Sequence, residues 1–325
     1  MHPEFEKRLL ETDFDAIVGQ ARVKQQVKSA LLTQRHLILV GPPGVGKTTL
    51  ARSVAQLLPP VELSDDSFRS APKPGVATRT YSGAERFVRV QGSPDLTAED
   101  LLGDIDPLKA LEFGPLSLEA FTPGKLFKAN HGVLFFDEVN RCSDKLQNAL
   151  LQVLQEGVVT IGSYDIDFPA NFVFIGTMNP DDNSTEELSH VFLDRFDLVY
   201  MSYPERHEQE VGVVRDQARL VASFDDKLLS YAVGFVRGLR SDKNLEQAPS
   251  VRASIGLAER ASANARIAGR DAVSLVDITS AVSSVLAHRL VLKPSVRYLT
   301  STQEYVSEQF SQFVEREGIQ EGGAG

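Results

Sequence analysis

Residues 41–49 read Gly-Pro-Pro-Gly-Val-Gly-Lys-Thr-Thr, a full match to the phosphate-binding loop G-x-x-x-x-G-K-[ST]. An apolar run, Leu37 to Val40, precedes it and reads as a buried strand. A helical stretch follows and stops at Pro59-Pro60. Strand, glycine-rich turn and helix in that order restrict the chain to an α/β fold with a nucleotide at the loop. The glycines let backbone N–H groups turn inward around phosphates, and the helix adds its positive end. Lys47 would reach the β- and γ-phosphates, and Thr48 would offer its hydroxyl to Mg²⁺. The candidate nucleotide-binding residues are therefore Gly41, Pro42, Pro43, Gly44, Val45, Gly46, Lys47, Thr48 and Thr49.

The remaining pattern alternates strands with helices, which predicts a parallel sheet with flanking helices. Residues 1–13 read as a short leading helix. Residues 21–32 read as an amphipathic helix with Val23, Val27, Ala30 and Leu31 on one face. Residues 64–86, rich in Pro, Gly, Ser and charge, read as a long exposed loop. Phe87 to Val90, Gly132 to Phe136 and Phe172 to Gly176 read as strands, the second of them central. A helix from Asp144 to Gln155 places Leu146, Leu150 and Leu154 on one face, with Ser143 as its N-cap. Residues 158–168 read as a β-hairpin turning at Gly162-Ser163. After Tyr203-Pro204 the chain becomes helical and Ala-rich, so the domains are expected at 1–203 and 204–325. One clear helix there runs from Val251 to Ala268, with Ser250 as N-cap and Gly269 as its stop. The Gly-rich tail, 321–325, reads as a disordered end.

Composition narrows the function. A chain of 325 residues, 42% of them hydrophobic, can bury a sizeable core and suggests two domains. A formal charge of −10 argues against a nucleic-acid machine, which needs a basic stripe. The one cysteine, Cys142, excludes an intrachain disulfide and a Cys-based zinc site, and it reads as a buried small hydrophobe rather than a redox sensor. No signal peptide and no bilayer-length apolar run are visible, so a cytoplasmic location is expected.

Phe135-Phe136-Asp137-Glu138 fits a Walker B element, an apolar strand that delivers two acids to the sheet's carboxyl edge. Asp137 would hold Mg²⁺, and Glu138 would polarise the attacking water. Asn179, at the end of the next apolar strand, would orient the same water. Two readings stand for Arg195, an arginine finger reaching a neighbouring subunit's γ-phosphate or a surface salt bridge. Arg252 likewise either contacts phosphate or sits solvated at a helix start.

The order of these parts resembles that of AAA+ ATPases. Ile17-Val18-Gly19-Gln20, the phosphate loop, Asp137-Glu138-Val139-Asn140, Gly176 to Pro180, Leu193-Asp194-Arg195-Phe196 and Ser250 to Ala253 follow one another as in that family. More narrowly, residues 121–141, 151–160, 269–273 and 288–290 resemble the MoxR and magnesium-chelatase I-subunit branch. The resemblance spans about residues 13–291. It implies an AAA+ P-loop core with a helix-2 insertion (residues 92–120), a hairpin before sensor 1 (residues 158–168) and a small all-α lid. It also implies ATP and Mg²⁺ as ligands and a ring of identical subunits, usually a hexamer. By position it makes Val18 and Gly19 neighbours of the adenine, Asn179 sensor 1, Arg195 the finger and Arg252 sensor 2. Within the branch, Asp137 to Arg141 and Gln155 to Thr160 lean towards MoxR, whose members act on partners carrying a von Willebrand A domain. Asp104 to Leu111 and Phe121 to Gly124 lean towards the ATPase subunit of a magnesium or cobalt chelatase. The expected function is a MoxR-like, chaperone-type ATP hydrolase, with the chelatase subunit as the alternative and neither membrane nor nucleic acid as partner.

Overall fold

A computed structural model describes residues 2–115, 117–161, 166–180 and 188–319. The hairpin turn at Gly162-Ser163 and the 321–325 tail lie outside the described residues. The chain divides into two compact units, the first formed by residues 1–42 and 46–201 and the second by residues 43–45 and 202–325.

The first unit is built on five strands: β1 (His36–Val40), β2 (Phe87–Gln91), β3 (Val133–Asp137), β4 (Val173–Met178) and β5 (Phe196–Tyr200). All are parallel, in the order β5-β1-β4-β3-β2. The central strand is β4, and β3, expected to be central, lies between β4 and the edge strand β2. Parallel strands are covered on both faces, which is why β1 and β3 read as unbroken apolar runs. Leu37, Ile38, Leu134, Phe135, Phe136 and Phe174 are fully buried. Helices α1 (Pro3–Glu11), α2 (Ala21–Leu32), α3 (Lys47–Leu57) and α4 (Asp144–Glu156) flank this sheet. The face of α2 that is buried contains Val23, Val27, Ala30 and Leu31, as its spacing predicts. In α4, Leu146, Leu150 and Val153 are buried, whereas Leu154 is only partly covered. Ser143 occupies the N-cap position of α4 without a side-chain capping bond.

The 64–86 segment departs from the expected loop. Val61–Ser64 pairs antiparallel with Thr78–Tyr81, so its two ends form a ribbon. The 92–120 segment forms the helix Ala98–Leu102, opened by a Thr97 capping box, then the helix Pro107–Phe113. Strand Gly103–Ile105 returns against Phe121–Pro123. Val158–Ile161 and Ile166–Pro169 pair as the expected hairpin.

The second unit is helical: α5 (His207–Gln217), α6 (Asp226–Leu239), α7 (Val251–Ile267), α8 (Leu275–Leu286) and α9 (Thr302–Glu317). One addition is a short antiparallel ribbon, Leu245–Gln247 with Val291–Leu292. Small residues on one face of α7, Ala253, Ala261 and Ala265, are fully buried and let α8 pack closely against it. Ser250 sits at the N-cap of α7 with no capping side-chain bond, and Gly269 follows that helix at φ +75°.

Candidate functional site

The site is assembled at the carboxyl edge of the sheet. The loop leaves β1 at Gly41, whose N–H donates to the Met178 carbonyl at 3.1 Å, while the Met201 N–H donates to the Val40 carbonyl at 2.7 Å. The chain therefore threads between the ends of β4 and β5. A Cβ at position 41 would overlap the Met201 carbonyl, so only glycine fits. Gly46, at φ +96°, turns the chain into α3, and Lys47 opens that helix. The Lys47 ammonium folds back over the loop, donating to the carbonyls of Gly41 and of Pro42, the latter at 3.0 Å. Thr48, in the first turn of α3, is half-buried. A Cβ at position 46 would come within 3.0 Å of Ile17 Cδ1, beside the half-buried Val18 and Gly19.

Asp137 ends β3 with its carboxylate 17% exposed. Its Oδ1 accepts the Thr177 hydroxyl at 2.6 Å, and its Oδ2 accepts from Arg89 Nη2 at 2.6 Å. Glu138 follows at φ +56°, a left-handed turn that a residue with a Cβ adopts only when held there. The hold is visible, because Thr177 Oγ1 also accepts the Glu138 N–H at 2.9 Å. The Glu138 Oε2 accepts from Gln91 Nε2 at 2.8 Å and pairs with Arg141 Nε at 3.3 Å.

Sequence reasoning did not find Thr177, Arg89, Gln91 or Arg141. In the ladder Gln91 lies opposite Asp137, and Thr177 follows Gly176, which lies opposite Phe136. Thus Gln91, Asp137 and Thr177 form one cross-strand row, with Arg89 two residues back on the same face of β2. The available signal was Arg89 and Gln91 alternating with apolar residues at the end of β2.

Asn179 directly follows β4, half-buried at the same edge. Arg195 precedes β5 and so lies at the opposite, amino edge. It is exposed and pairs with Asp194 at 3.1 Å. Arg252 lies in the first turn of α7, in the second unit, and is exposed. Cys142 is buried, and burial pushes its thiol up to about 11, so it stays protonated at neutral pH.

Asp137 and Thr48 offer hard oxygen donors, the kind Mg²⁺ takes together with phosphate oxygens. The Arg89 guanidinium pairs with Asp137 Oδ2, so a Mg²⁺ ion held by this oxygen would take the place of that ion pair. No group of three or more His, Cys, Asp or Glu side chains suited to a metal occurs among the described residues. Among them, too, no helix is long and apolar enough to cross a membrane.

Residues 75–198 match the ATPase family associated with various cellular activities (AAA), residues 13–84 match magnesium chelatase, subunit ChlI, and residues 239–309 match the AAA lid domain. The chain is 30% identical to the chloroplastic magnesium-chelatase subunit ChlI of Oryza sativa subsp. indica, over 86% of this chain and 76% of that one. It is 28% identical to the chaperone MoxR1 of Mycobacterium tuberculosis, over 85% of this chain and 73% of that protein. Thermotoga maritima RuvB superposes with a TM-score of 0.55 at 17% identity, covering 94% of this chain and 85% of that one, a likeness of fold.

Proposed function

The chain belongs to the AAA+ ATPases of the MoxR and magnesium-chelatase I-subunit branch, and we propose that within it the protein is a Mg²⁺-dependent ATP hydrolase of MoxR type, remodelling or activating a partner protein. The observation that carries the ATPase reading is the Asp137–Glu138 pair at the edge from which the phosphate loop springs, with Thr177 bonded to both residues. The loop N–H groups and Lys47 bind phosphates, and Val18 and Gly19 border the adenine. Thr48 and Asp137 would hold Mg²⁺, which would supply positive charge to the phosphoryl oxygens. Glu138 takes the proton of the attacking water, while Gln91 and Arg141 fix its carboxylate. Asn179 orients that water, Arg195 serves a neighbour's γ-phosphate, and Arg252 acts as sensor 2.

The proposed assembly is a homo-oligomeric ring, a hexamer, of subunits divided into a nucleotide-binding domain (1–203) and a lid (204–325), in a cytoplasmic setting. The insertion helix Pro107–Phe113 supports a partner-remodelling role. None of its residues is buried, and Leu108 and Leu111 are 78% and 86% exposed, a surface suited to another protein. The proposed partner carries a von Willebrand A domain. The similarity to the rice ChlI subunit favours the second reading, the ATPase subunit of a magnesium or cobalt chelatase.

Glu138→Gln separates these possibilities. It keeps the size and the hydrogen bonds but not the base, so turnover should fall by about 10²-fold or more with ATP binding intact. ATP hydrolysis at the wild-type rate would remove Glu138 from the mechanism. The ATP-loaded variant, used as bait in native lysate, should retain a von Willebrand A protein. Retention of a porphyrin-binding chelatase subunit instead would establish the second reading.

A further inference from the structure

The sheet's other end holds a second site that the ATPase chemistry does not use. A cavity of about 680 Å³ opens where β1, β3 and β4 begin, against α1 and the chain after α3. A five-residue strand, roughly 13 Å long, separates this edge from the phosphate loop. The volume lies within the range of small-molecule sites. Its walls are mixed: Phe5, Phe172 and Leu154 are apolar, while Arg86, His36 and His131 are polar. Among the described residues, no aspartate or glutamate lines it.

Arg86 is the decisive residue. It is 2% exposed and forms no ion pair among the described residues, the neighbouring Glu85 carboxylate acting on it only through space and against the like charge of Arg69. Its guanidinium donates to three carbonyls, those of Ser82, His131 and Pro59. A guanidinium has five N–H donors, so these bonds leave two N–H groups and a full charge. A buried cation without a counter-ion is costly, and an anion at this wall offsets that cost. The other guanidinium in the lining, Arg35, is already paired with Asp197 at 3.2 Å. His36 accepts the Phe174 N–H at 3.2 Å through Nδ1, which keeps its proton on Nε2 as a donor. Burial holds both His36, at about 4, and His131 below the ordinary histidine range, so neither adds charge at neutral pH. One positive charge without an ion-pair partner, in a cavity partly walled by apolar side chains, matches one negative charge on an apolar body.

We propose that this cavity is a binding site for a small apolar carboxylate, a ligand separate from the nucleotide, with Arg86 as its anchor. Calorimetric titration of the full chain with benzoate, 1-naphthoate and 4-phenylbutyrate, each beside its neutral amide, tests it. At least one acid should bind, about tenfold or more tighter than its amide, since a charge-assisted bond to a buried cation is at stake. Arg86→Met should abolish the preference for the acid. Arg86 also ties down three carbonyls, so Leu154→Trp, which fills the cavity and leaves Arg86 in place, should abolish binding in a chain that still folds. Lys47→Ala should bind the acid unchanged, which keeps this result independent of the ATPase reading. Absence of binding by all three acids, equal affinity for acid and amide, undiminished binding by Leu154→Trp, or loss of binding in Lys47→Ala each overturns the proposal.

Discussion

Thr177 is a single hydroxyl with two duties. It donates to Asp137 Oδ1 at 2.6 Å and accepts the Glu138 N–H at 2.9 Å, so it sets both the carboxylate proposed to hold the metal and the left-handed turn that carries the proposed base. Thr177→Val preserves shape and removes both bonds. Each such bond, one of them charge-assisted, is worth about 1–3 kcal/mol. The expected result is a kcat about tenfold lower with nearly unchanged ATP affinity, read from steady-state kinetics beside nucleotide titration. An unchanged kcat would show that Glu138 holds its turn without help. The placing of Asp137 and Glu138 at the sheet's carboxyl edge was legible in the sequence because a local motif, apolar strand then two acids, announces it. Thr177, Arg89 and Gln91 were not, because each meets the acids only through ladder pairing across 39 to 48 residues. A lone threonine in an apolar strand carries no local sign of what lies beside it.

At the scale of elements, legibility followed burial. The strands β1, β3 and β4 are buried on both faces and read as continuous apolar runs. Thr78–Tyr81 escaped notice because three of its four residues are exposed, leaving no apolar alternation to detect. The second unit adds a feature no periodicity reveals. The carboxylate of Glu210, fully buried on α5, accepts from Arg237 at 2.9 Å, from Arg240 twice at 2.7 Å and from Ser254 at 2.7 Å. One acid thus joins α5, the end of α6 and the start of α7. Burial is the largest single influence on it and pushes its titration up, but Arg240, Ser254 and Arg237 together outweigh burial and hold it below the ordinary range. Glu210→Gln strands two guanidinium groups, so urea unfolding of this unit should show a loss of about 3–5 kcal/mol. A loss under 1 kcal/mol would mean the arginines find other partners.

Asp277, in the capping box of α8, gives the pH counterpart. The bidentate Arg270 bond, with the Ser274 N–H and hydroxyl, lowers it from 3.8 to about 2 against the effect of burial. A carboxylate depressed in the folded state stabilises above its unfolded pKa, and that stability is lost as pH falls through the folded value. Wild type should therefore exceed Asp277→Asn by about 1–2 kcal/mol at neutral pH, and the gap should close between pH 4 and 2. A gap independent of pH over that window would assign the effect to packing instead.

At the scale of the whole molecule, the placement of Arg195 bears on whether the proposed ATP hydrolase would act as a single chain or a ring. Arg195 stands at the amino edge of the sheet, whereas the phosphate loop and Asp137 stand at the carboxyl edge, roughly 13 Å of strand away. It is exposed, and among the described residues its ion-pair partner is Asp194, in a surface pair worth about 0.2–1 kcal/mol. Arg195 is therefore poorly placed for its own chain's nucleotide and easily released to another's. Heterologous contacts that close on themselves make rings, and in the proposed ring each interface would join one subunit's Glu138 to the next subunit's Arg195. Arg195→Ala and Glu138→Gln should each be inactive alone, for different reasons. Mixed in equal amounts before assembly, they should regain turnover, because about a quarter of interfaces pair an intact Glu138 with an intact Arg195. If both residues served the same chain's nucleotide, no site in the mixture would be whole. Activity no greater than the sum of the two variants would then return Arg195 to its other reading, a surface ion pair.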